Sequence, residues 1–200
     1  YIKEGDRNTR FFHSRATLRK WRNCIKNIRN QADEMCTGQE QIADTFVEFY
    51  KNLFTSLTPN VNSEDLDSIP QVVTGEMNEI LVGEFQAWEV EAALNQMAPL
   101  KALGPDGMPP LFFQTYWIDV IMDITQAVLF SLNSSSILKS INHTFITLIP
   151  KVNNPEKVYD FRPIGLCNVI YKIISKVIDN RLKPMLNSII SETQSAFIAD

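Results

Sequence analysis

Hydrophobic positions recur at helical spacing near the start of the chain. In residues 7–29, apolar residues from Leu18 onward follow one another at intervals of three, four and three, and the opposite face carries Arg and Lys. This spacing predicts one apolar stripe on a basic helix, formed by Leu18, Trp21, Ile25 and Ile28. Next, Thr37 and Glu40 fit a capping box, and a second helical face follows them, made of Ile42, Phe46, Phe49, Tyr50, Leu53 and Phe54.

The middle of the chain alternates loops and helices. Residues 55–80, with two prolines and several Asn and Ser, predict a loop with at most short structure. A helix is predicted over residues 87–98, where Pro99 stops it. A Gly- and Pro-containing loop over 101–110 precedes a third helix over 111–132, with these residues inward: Trp117, Ile121, Ile124, Val128, Leu129 and Leu132.

The last third of the chain predicts a hairpin and then a helix. Two short apolar runs flank a polar, Asn-rich link, as in a pair of strands. Asn168 is a plausible N-cap for a helix over 168–182, which Pro184 ends or kinks. The chain as a whole is predicted to be α+β, mainly helical, with a small antiparallel hairpin.

Composition indicates a soluble globular chain. Of its 200 residues, 44% are apolar and 21% are charged, and no apolar run reaches the roughly 18 residues that span a bilayer. We therefore expect no membrane partner and no secretory leader. Three widely spaced cysteines, Cys24, Cys36 and Cys167, favour a reducing, intracellular compartment, nucleus or cytoplasm. The first residue is Tyr1 rather than Met, so both ends are expected to continue in a longer protein.

Charge is distributed unevenly along the chain. Residues 1–30 carry nine Lys and Arg against two acidic residues, whereas residues 31–100 carry thirteen acidic residues against one Lys. The basic segment could bind an anionic partner, or the two segments could attract each other. Arg, Trp and Phe together are typical of stacking on nucleic acid, although composition alone favours an amphipathic helix docked on a core. The candidate nucleic-acid-binding residues are Arg15, Arg19, Lys20 and Arg22.

Each strand of the predicted hairpin carries a cation where it meets the link, Lys151 and Arg162. If the strands pair, both side chains can reach the same side. Lys offers a compact charge and Arg a planar fork that matches phosphate oxygens. The pair could therefore hold a polyphosphate, or both residues could simply be solvent-facing charges at strand ends.

The segment Gly104-Pro105-Asp106-Gly107 predicts a tight, rigid turn, since the two glycines permit unusual backbone angles and Pro105 fixes its own φ. It lacks the spacing of a phosphate-binding loop. The two histidines, His13 and His143, have no Cys or His at ligand spacing, which argues against zinc. We predict no metal site and no catalytic residue within this chain.

Several stretches occur in an order typical of one protein family. They are "KEGDRNTRFFH" (3–13), "FYKNLFTS" (49–56), "KALGPDG" (101–107), "LIPK" (148–151), "DFRPIGLCNVIYKIISKVIDNRLKP" (160–184) and "SETQSAFI" (191–198). In these motifs the chain resembles the reverse transcriptase region of LINE-type (non-LTR) retrotransposons, especially plant copies. It departs at Leu103, where the family usually has Pro, at Gly165, where Ser is usual, and at Ala199-Asp200, where Pro-Gly commonly follows.

This resemblance implies the fingers part of a right-hand polymerase. Residues 1–80 would be a helical segment preceding the polymerase core, and residues 81–200 the fingers region, truncated before the catalytic palm. By family analogy, Lys151 and Arg162 would contact the triphosphate of the incoming deoxynucleotide. The turn at 104–107 would be mainly structural, and the basic helix would lie near template RNA.

The resemblance also implies that the catalytic groups lie elsewhere. Nucleotide addition needs two metal ions, Mg²⁺ in the parent enzyme, held by palm aspartates beyond the last matching motif. The parent enzyme's partners are an RNA template, a DNA primer and a dNTP. We therefore expect a fragment of an RNA-directed DNA polymerase that is inactive alone. The alternatives are a non-catalytic RNA- or DNA-binding remnant and a functionless pseudogene product.

Overall fold

The computed structural model describes residues 10–56 and 70–190, which belong to two compact units. The hairpin unit comprises Tyr1–Asn60 and Ile146–Ile164, and the helical unit comprises Val61–Phe145 and Gly165–Asp200. Each unit is assembled from two stretches of chain, so the two units differ from the predicted segments 1–80 and 81–200. The division into 1–80 and 81–200 follows the order of the family motifs and stays a prediction.

The helical unit is built from helices joined by short loops. Thr74 caps the first of them, since its hydroxyl accepts a hydrogen bond from the Met77 N–H at 3.2 Å. Pro110 opens another helix at its first position, where a missing N–H costs nothing. The helices are α3 (Gly75–Val82), α4 (Ala87–Asn95), α5 (Pro110–Thr115), α6 (Trp117–Asn133), α7 (Lys139–Asn142) and α8 (Val169–Ile189).

The core of the helical unit lies among α4, α6 and α8. Val90, Val128 and Val177 are fully buried, one from each of these helices. The predicted stripe of α8 is buried at four positions, Val169, Ile173, Ile174 and Val177. Removing this apolar surface from water is the main force that holds the unit together.

The hairpin unit joins N-terminal elements to the far end of the hairpin. Strand β1 pairs antiparallel with β2, with Ile28 opposite Cys36. Strands β3 and β4 form the second two-stranded sheet, and a 3₁₀ turn over Val158–Asp160 precedes β4. The elements are α1 (Arg10–Arg22), β1 (Ile28–Arg29), β2 (Met35–Cys36), α2 (Gln39–Leu53), β3 (Thr144–Pro150) and β4 (Phe161–Cys167).

A small second core holds the hairpin unit together. Ile28 is fully buried, and Phe46 packs edge to face against Phe161 with ring centroids 5.3 Å apart. The N-terminal elements and the hairpin therefore share one core, composed of Ile28, Ile42, Phe46, Val158 and Phe161.

The predicted basic helix over 7–29 was wrong at its C-terminal end. Helix α1 ends at Arg22, and its predicted stripe divides: Trp21 is 70% exposed, whereas Ile28 is buried in β1. Residues from 23 onward include Asn and Cys, which are weak helix formers. The Arg29 N–H also donates to the Glu156 carbonyl at 2.7 Å, so strand pairing and burial outweigh helical spacing. Residues 7–9 lie outside the described residues.

Other boundaries also differ from the sequence predictions. The capping box at Thr37 was wrong, since α2 begins after Gly38 without a side-chain cap. The predicted loop over 55–80 contains the start of α3, and residues 57–69 lie outside the described part. The third helix is divided at Tyr116, whose carbonyl accepts the N–H groups of Asp119 and Val120 and so starts α6.

Pro184 does not end α8, which continues to Ile189. Met185, directly after this proline, is 5% exposed, so packing of the last turns compensates for the hydrogen bond that proline cannot make. The fold is mainly helical with two small antiparallel sheets, which agrees with the coarse α+β prediction. In the described part of the chain, no helix has both the length and the apolar character to cross a membrane.

Candidate functional site

The two cations of the hairpin are exposed where its strands meet the link. Phe161 is 3% exposed and faces the core, so Arg162, the next residue of β4, points to the opposite side. On the other strand Leu148 packs against the same core, and Lys151 is exposed directly after β3. The Lys151 N–H donates to the Asp160 carbonyl at 2.7 Å, which joins the strand ends at the link. Both cations are therefore exposed, Arg162 by strand alternation and Lys151 by its position just after β3.

The ammonium of Lys151 and the guanidinium of Arg162 have different local partners. The Lys151 ammonium donates to the Tyr159 carbonyl at 2.8 Å, so it turns back onto the link. Arg162 is exposed, and within the described residues its side chain makes no hydrogen bond or ion pair. Their joint role in phosphate binding stays a prediction, and it requires the Lys151 ammonium to turn away from Tyr159.

The link between the strands is anchored by a network of charges. One Asp160 oxygen accepts the N–H groups of Glu156 and Lys157 at 3.1 and 2.9 Å. Arg29 Nε donates to Glu156 Oε2 at 2.9 Å, and its guanidinium lies 3.5 Å from a carboxylate oxygen of Asp33. The hydrogen bond to Glu156 and the charge of Asp33 raise the pKa of Arg29 above its ordinary value. Arg29 and Asp160 therefore hold the link in place together with the hydrogen bonds of Lys151, whereas the Arg162 side chain takes no part within the described residues.

The candidate nucleic-acid residues lie on α1. Arg15, Arg19 and Lys20 are exposed along this helix, and the side chain of Arg22 lies outside the described part. Two apolar residues of the predicted stripe are exposed on α1 too, Leu18 at 57% and Trp21 at 70%. The expectation that this stripe docks on a core is therefore wrong at these two positions. The role of its cations stays a prediction.

The turn at 104–107 packs against the end of the hairpin. The Gly107 N–H donates to the Gly104 carbonyl at 3.0 Å, and Gly107 has a φ of 67°, which favours glycine. A Cβ built on Gly104 would lie 2.4 Å from the Cys167 carbonyl oxygen. Only a residue without a side chain fits against this backbone.

Asp106 and Asn168 hold each other and the start of α8. The Asp106 N–H donates to Asn168 Oδ1 at 3.1 Å, and Asp106 Oδ2 accepts the Val169 N–H at 3.4 Å. A carboxylate at a helix N-terminus is favourable, because the first N–H groups lack partners and carry partial positive charge. Asn168 also donates to the Ser140 carbonyl at 3.0 Å. It occupies the N-cap position of α8, and its side-chain amide connects the start of that helix to the turn at 104–107 and to α7.

One buried polar cluster was missed by sequence reasoning. Arg181 of α8 donates to both carboxylate oxygens of Glu89 at 2.7 and 2.8 Å, and its guanidinium lies 3.6 Å from the ring centre of Phe85. It also donates to carbonyls that follow or end α3, those of Ile80, Leu81, Gly83 and Glu84. The hydrogen bond from Arg181 lowers the pKa of Glu89. The sequence signal that could have indicated this cluster is the position of Arg181, four residues after Val177 on the buried face of α8.

Metal binding receives no support from the described residues. Among them, no group of three or more His, Cys, Asp or Glu side chains is close enough together to hold a metal ion.

The chain is similar to proteins of transposable elements. It is 29% identical over 192 residues, 95% of its length, to the "Transposon TX1 uncharacterized 149 kDa protein" of Xenopus laevis. It is 21% identical over 164 residues, 82% of its length, to the "Retrovirus-related Pol polyprotein from type-2 retrotransposable element R2DM" of Drosophila melanogaster. No protein-family model matches the chain.

These relatives are much longer than the chain. The matched regions cover 15% and 14% of their lengths. The similarity supports a retroelement origin of the chain.

Proposed function

We propose that this protein is a segment of a reverse transcriptase from a LINE-type (non-LTR) retrotransposon of plant-like type, and that it forms part of the fingers. In this proposal the hairpin holds the triphosphate of an incoming dNTP through Lys151 and Arg162. The observation that carries it is the exposure of both cations where the two strands meet the link, Lys151 directly after β3 and Arg162 within β4, beside a link that Arg29 and Asp160 help to anchor. Similarity to retrotransposon proteins supports the polymerase context.

The two cations supply complementary interactions with a triphosphate. The guanidinium of Arg162 can donate two parallel hydrogen bonds to phosphate oxygens, and the ammonium of Lys151 supplies a compact charge. The Lys151 ammonium exchanges its bond to the Tyr159 carbonyl for a bond to a phosphate oxygen. In the parent enzyme these charges would stabilise negative charge as it moves onto the leaving pyrophosphate.

Nucleotide binding to the whole chain tests this proposal. We expect dTTP to bind more tightly than thymidine monophosphate, because most of the attraction comes from the added phosphates. Changing Lys151 or Arg162 to Ala should weaken dTTP binding about ten-fold or more each, the effect of losing one charge-assisted contact of about 1.5–3 kcal/mol. Isothermal titration calorimetry measures these constants.

Lys51→Ala is the matched control for the two hairpin variants. Lys51 is exposed in the last turn of α2, in the same unit, and its removal takes away the same charge. We expect Lys51→Ala to leave dTTP binding within about two-fold. Equal losses for all three variants would reduce the effect to general charge and contradict the proposal.

The chain alone is proposed to be catalytically silent, because the aspartates that hold the two catalytic metal ions are assigned to the palm. RNA template, DNA primer and Mg²⁺ would be used by the parent enzyme. A primer-extension assay with these components and all four dNTPs should show no incorporation by this chain. Magnesium-dependent extension at a level proportional to protein concentration would refute this part of the proposal.

A second candidate is a non-catalytic nucleic-acid-binding remnant that uses α1. The exposure of Arg15, Arg19 and Lys20 along one basic helix favours it. Binding to RNA should then weaken steeply with salt, since phosphate contacts release counterions. Replacing Arg15, Arg19, Lys20 and Arg22 together by Ala should abolish the binding and flatten the salt dependence, whereas unchanged affinity would remove this candidate.

A further inference from the structure

A cavity of about 880 Å³ opens in the hairpin unit between the residues that follow α1 and the link of the hairpin. Its volume lies within the roughly 300–1,000 Å³ of ligand pockets. Every residue that lines it belongs to the hairpin unit. The lining combines one exposed indole, one ammonium and four carboxamides: Trp21, Lys26, Asn23, Asn27, Asn153 and Asn154.

The side chains of the four carboxamide residues make no hydrogen bonds that hold the described part of the fold together. Asn in a loop usually bonds to nearby backbone, as Asn30 does when its oxygen accepts the N–H groups of Ala32 and Glu34 at 3.0 and 2.9 Å. By contrast, within the described residues the side chains of Asn23, Asn27, Asn153 and Asn154 make no hydrogen bond. Their donors and acceptors are therefore available to a ligand.

The indole and the ammonium are available as well. Trp21 is 70% exposed at the last turn of α1, although burial of so large an apolar surface would be favourable. Lys26 is exposed and forms no ion pair within the described residues. The carboxylate of Glu156, which also lines the cavity, is bound to Arg29 at 2.9 Å. Because Arg29 compensates the negative charge of Glu156, the positive charge of Lys26 favours an anion in the cavity.

We propose that this cavity binds an unpaired base of a single-stranded nucleic acid. The face of the base stacks on the Trp21 indole, its polar edge bonds to the carboxamides, and an adjacent phosphate contacts Lys26. Side-chain amides suit base edges because each carries both donors and an acceptor, and aromatic stacking is the usual way that proteins hold unpaired bases. A duplex offers no free base face, so it gains nothing from Trp21.

This site is separate from the proposed triphosphate contacts of Lys151 and Arg162. It rests on the proposed function only in assuming that the protein binds a nucleic-acid strand. Fluorescence anisotropy with a labelled ten-nucleotide oligouridylate, and with oligodeoxythymidylate to distinguish the sugars, measures the affinity. Trp21→Ala should lower it about ten-fold or more, the loss of one stacked base. Trp21→Phe should restore a large part, because Phe keeps a stacking face.

Two controls separate base binding from general effects. Trp88→Ala removes an indole of equal exposure, 69%, from α4 in the helical unit, and it should leave the affinity unchanged. An abasic ribose-phosphate ten-mer and a ten-base-pair duplex should bind the Trp21→Ala variant and the parent chain equally. The double variant Asn27→Ala/Asn153→Ala should weaken oligouridylate binding and spare abasic binding.

The outcomes that overturn the proposal are distinct from failure of the proposed function. Equal loss of abasic and base-bearing oligomers on Trp21→Ala, or no loss at all, overturns base binding. Absence of any oligomer binding overturns it as well. Loss of dTTP binding in the Lys151 and Arg162 variants concerns the hairpin cations alone, and base binding through Trp21 survives if dTTP does not bind.

Discussion

In the helical unit a buried cluster of polar side chains holds the chain together. In the hairpin unit, by contrast, several polar side chains are exposed to solvent and available to a ligand. Arg181 is 12% exposed and is bonded to Glu89 and to the carbonyls that end α3. In the hairpin unit, Arg162 and Lys26 are exposed and have no hydrogen bond or ion pair in the described part of the chain. Two arginines of the same chain thus differ in their surroundings, because Arg181 is buried with its partners and Arg162 is exposed.

The difference indicates where a ligand can add interactions. A satisfied, buried network gains nothing from a ligand and loses much if one partner is removed. The backbone that carries the exposed Arg162 is held by other residues of the hairpin, so a ligand has to order only the side chain, at a cost of about 0.5–1.5 kcal/mol. The following changes are ordered from the largest expected effect to the smallest.

Arg181→Ala should give the largest loss of stability. It leaves the Glu89 carboxylate buried without its partner, and breaking such a pair costs about 3–5 kcal/mol of unfolding free energy. Arg162→Ala, the matched change in the hairpin unit, should stay within about 0.5 kcal/mol. Urea denaturation followed by circular dichroism measures both values, and similar losses for the two variants would remove the contrast between the units.

Gly104→Ala should destabilise the helical unit by about 1–3 kcal/mol, because the new methyl group would overlap the Cys167 carbonyl. Gly75→Ala is the control: no atom lies within 4 Å of its added Cβ, and Ala is the better helix former. We expect that variant to be as stable as the parent or slightly more so. A Gly104→Ala chain with parent stability would show that the turn does not pack against β4 as described.

Asp106→Ala should cost about 0.5–2 kcal/mol, the usual effect of losing a helix cap. Asp119→Ala tests whether the position matters, since Asp119 lies in the first turn of α6 and is exposed. Its loss should cost less, about 0.3–1 kcal/mol, because it interacts only with the helix dipole. Thermal melts compare the two variants, and a larger effect at Asp119 would contradict the capping role of Asp106.

Lowering the pH should remove the contribution of Glu89 to the stability of the fold. Its pKa is lowered in the folded chain by the hydrogen bond from Arg181, so the stabilisation is present above the unfolded value of about 4.3 and is lost as pH falls through the folded pKa. Glu89→Gln should therefore lose less stability than the parent between pH 5 and pH 2, about the range in which carboxylates titrate. Glu91→Gln, exposed on the same helix, should follow the parent curve. Parallel curves for Glu89→Gln and the parent would contradict the assignment.

Local sequence patterns predicted the elements in which the spacing of apolar residues along the chain matches the residues that are buried. The α8 stripe, the hairpin and the Gly-Pro loop were expected from the sequence, because apolar spacing and turn residues act over a few positions. Ile25 and Ile28 keep helical spacing yet lie outside the helix, Ile25 in a loop and Ile28 in β1. Pairing with β2 and burial with Phe161 outweigh the local pattern, and Phe161 is distant in sequence. The short α3 has no strong stripe, since none of its residues is buried.

Pairs of distant residues could not be found in this way. Arg181 and Glu89 are 92 positions apart, and nothing in either local pattern names the other. The cavity beside Trp21 likewise joins a helix end to a link more than a hundred residues later. The hairpin that carries Lys151 and Arg162 could be predicted from the sequence, because its two strands are close neighbours along the chain. The joint role of the two cations stays a prediction.

The most direct test of the account is a map of the amide resonances of the uniformly ¹⁵N-labelled chain during titration with dTTP. We predict that the amide signals around Lys151 and Arg162 shift in proportion to occupancy while those around Arg181 and Glu89 stay in place, and that Arg162→Ala removes the shifts. Shifts confined to the helical unit, or none at dTTP concentrations that saturate binding by calorimetry, would contradict the assignment of the hairpin as the triphosphate site.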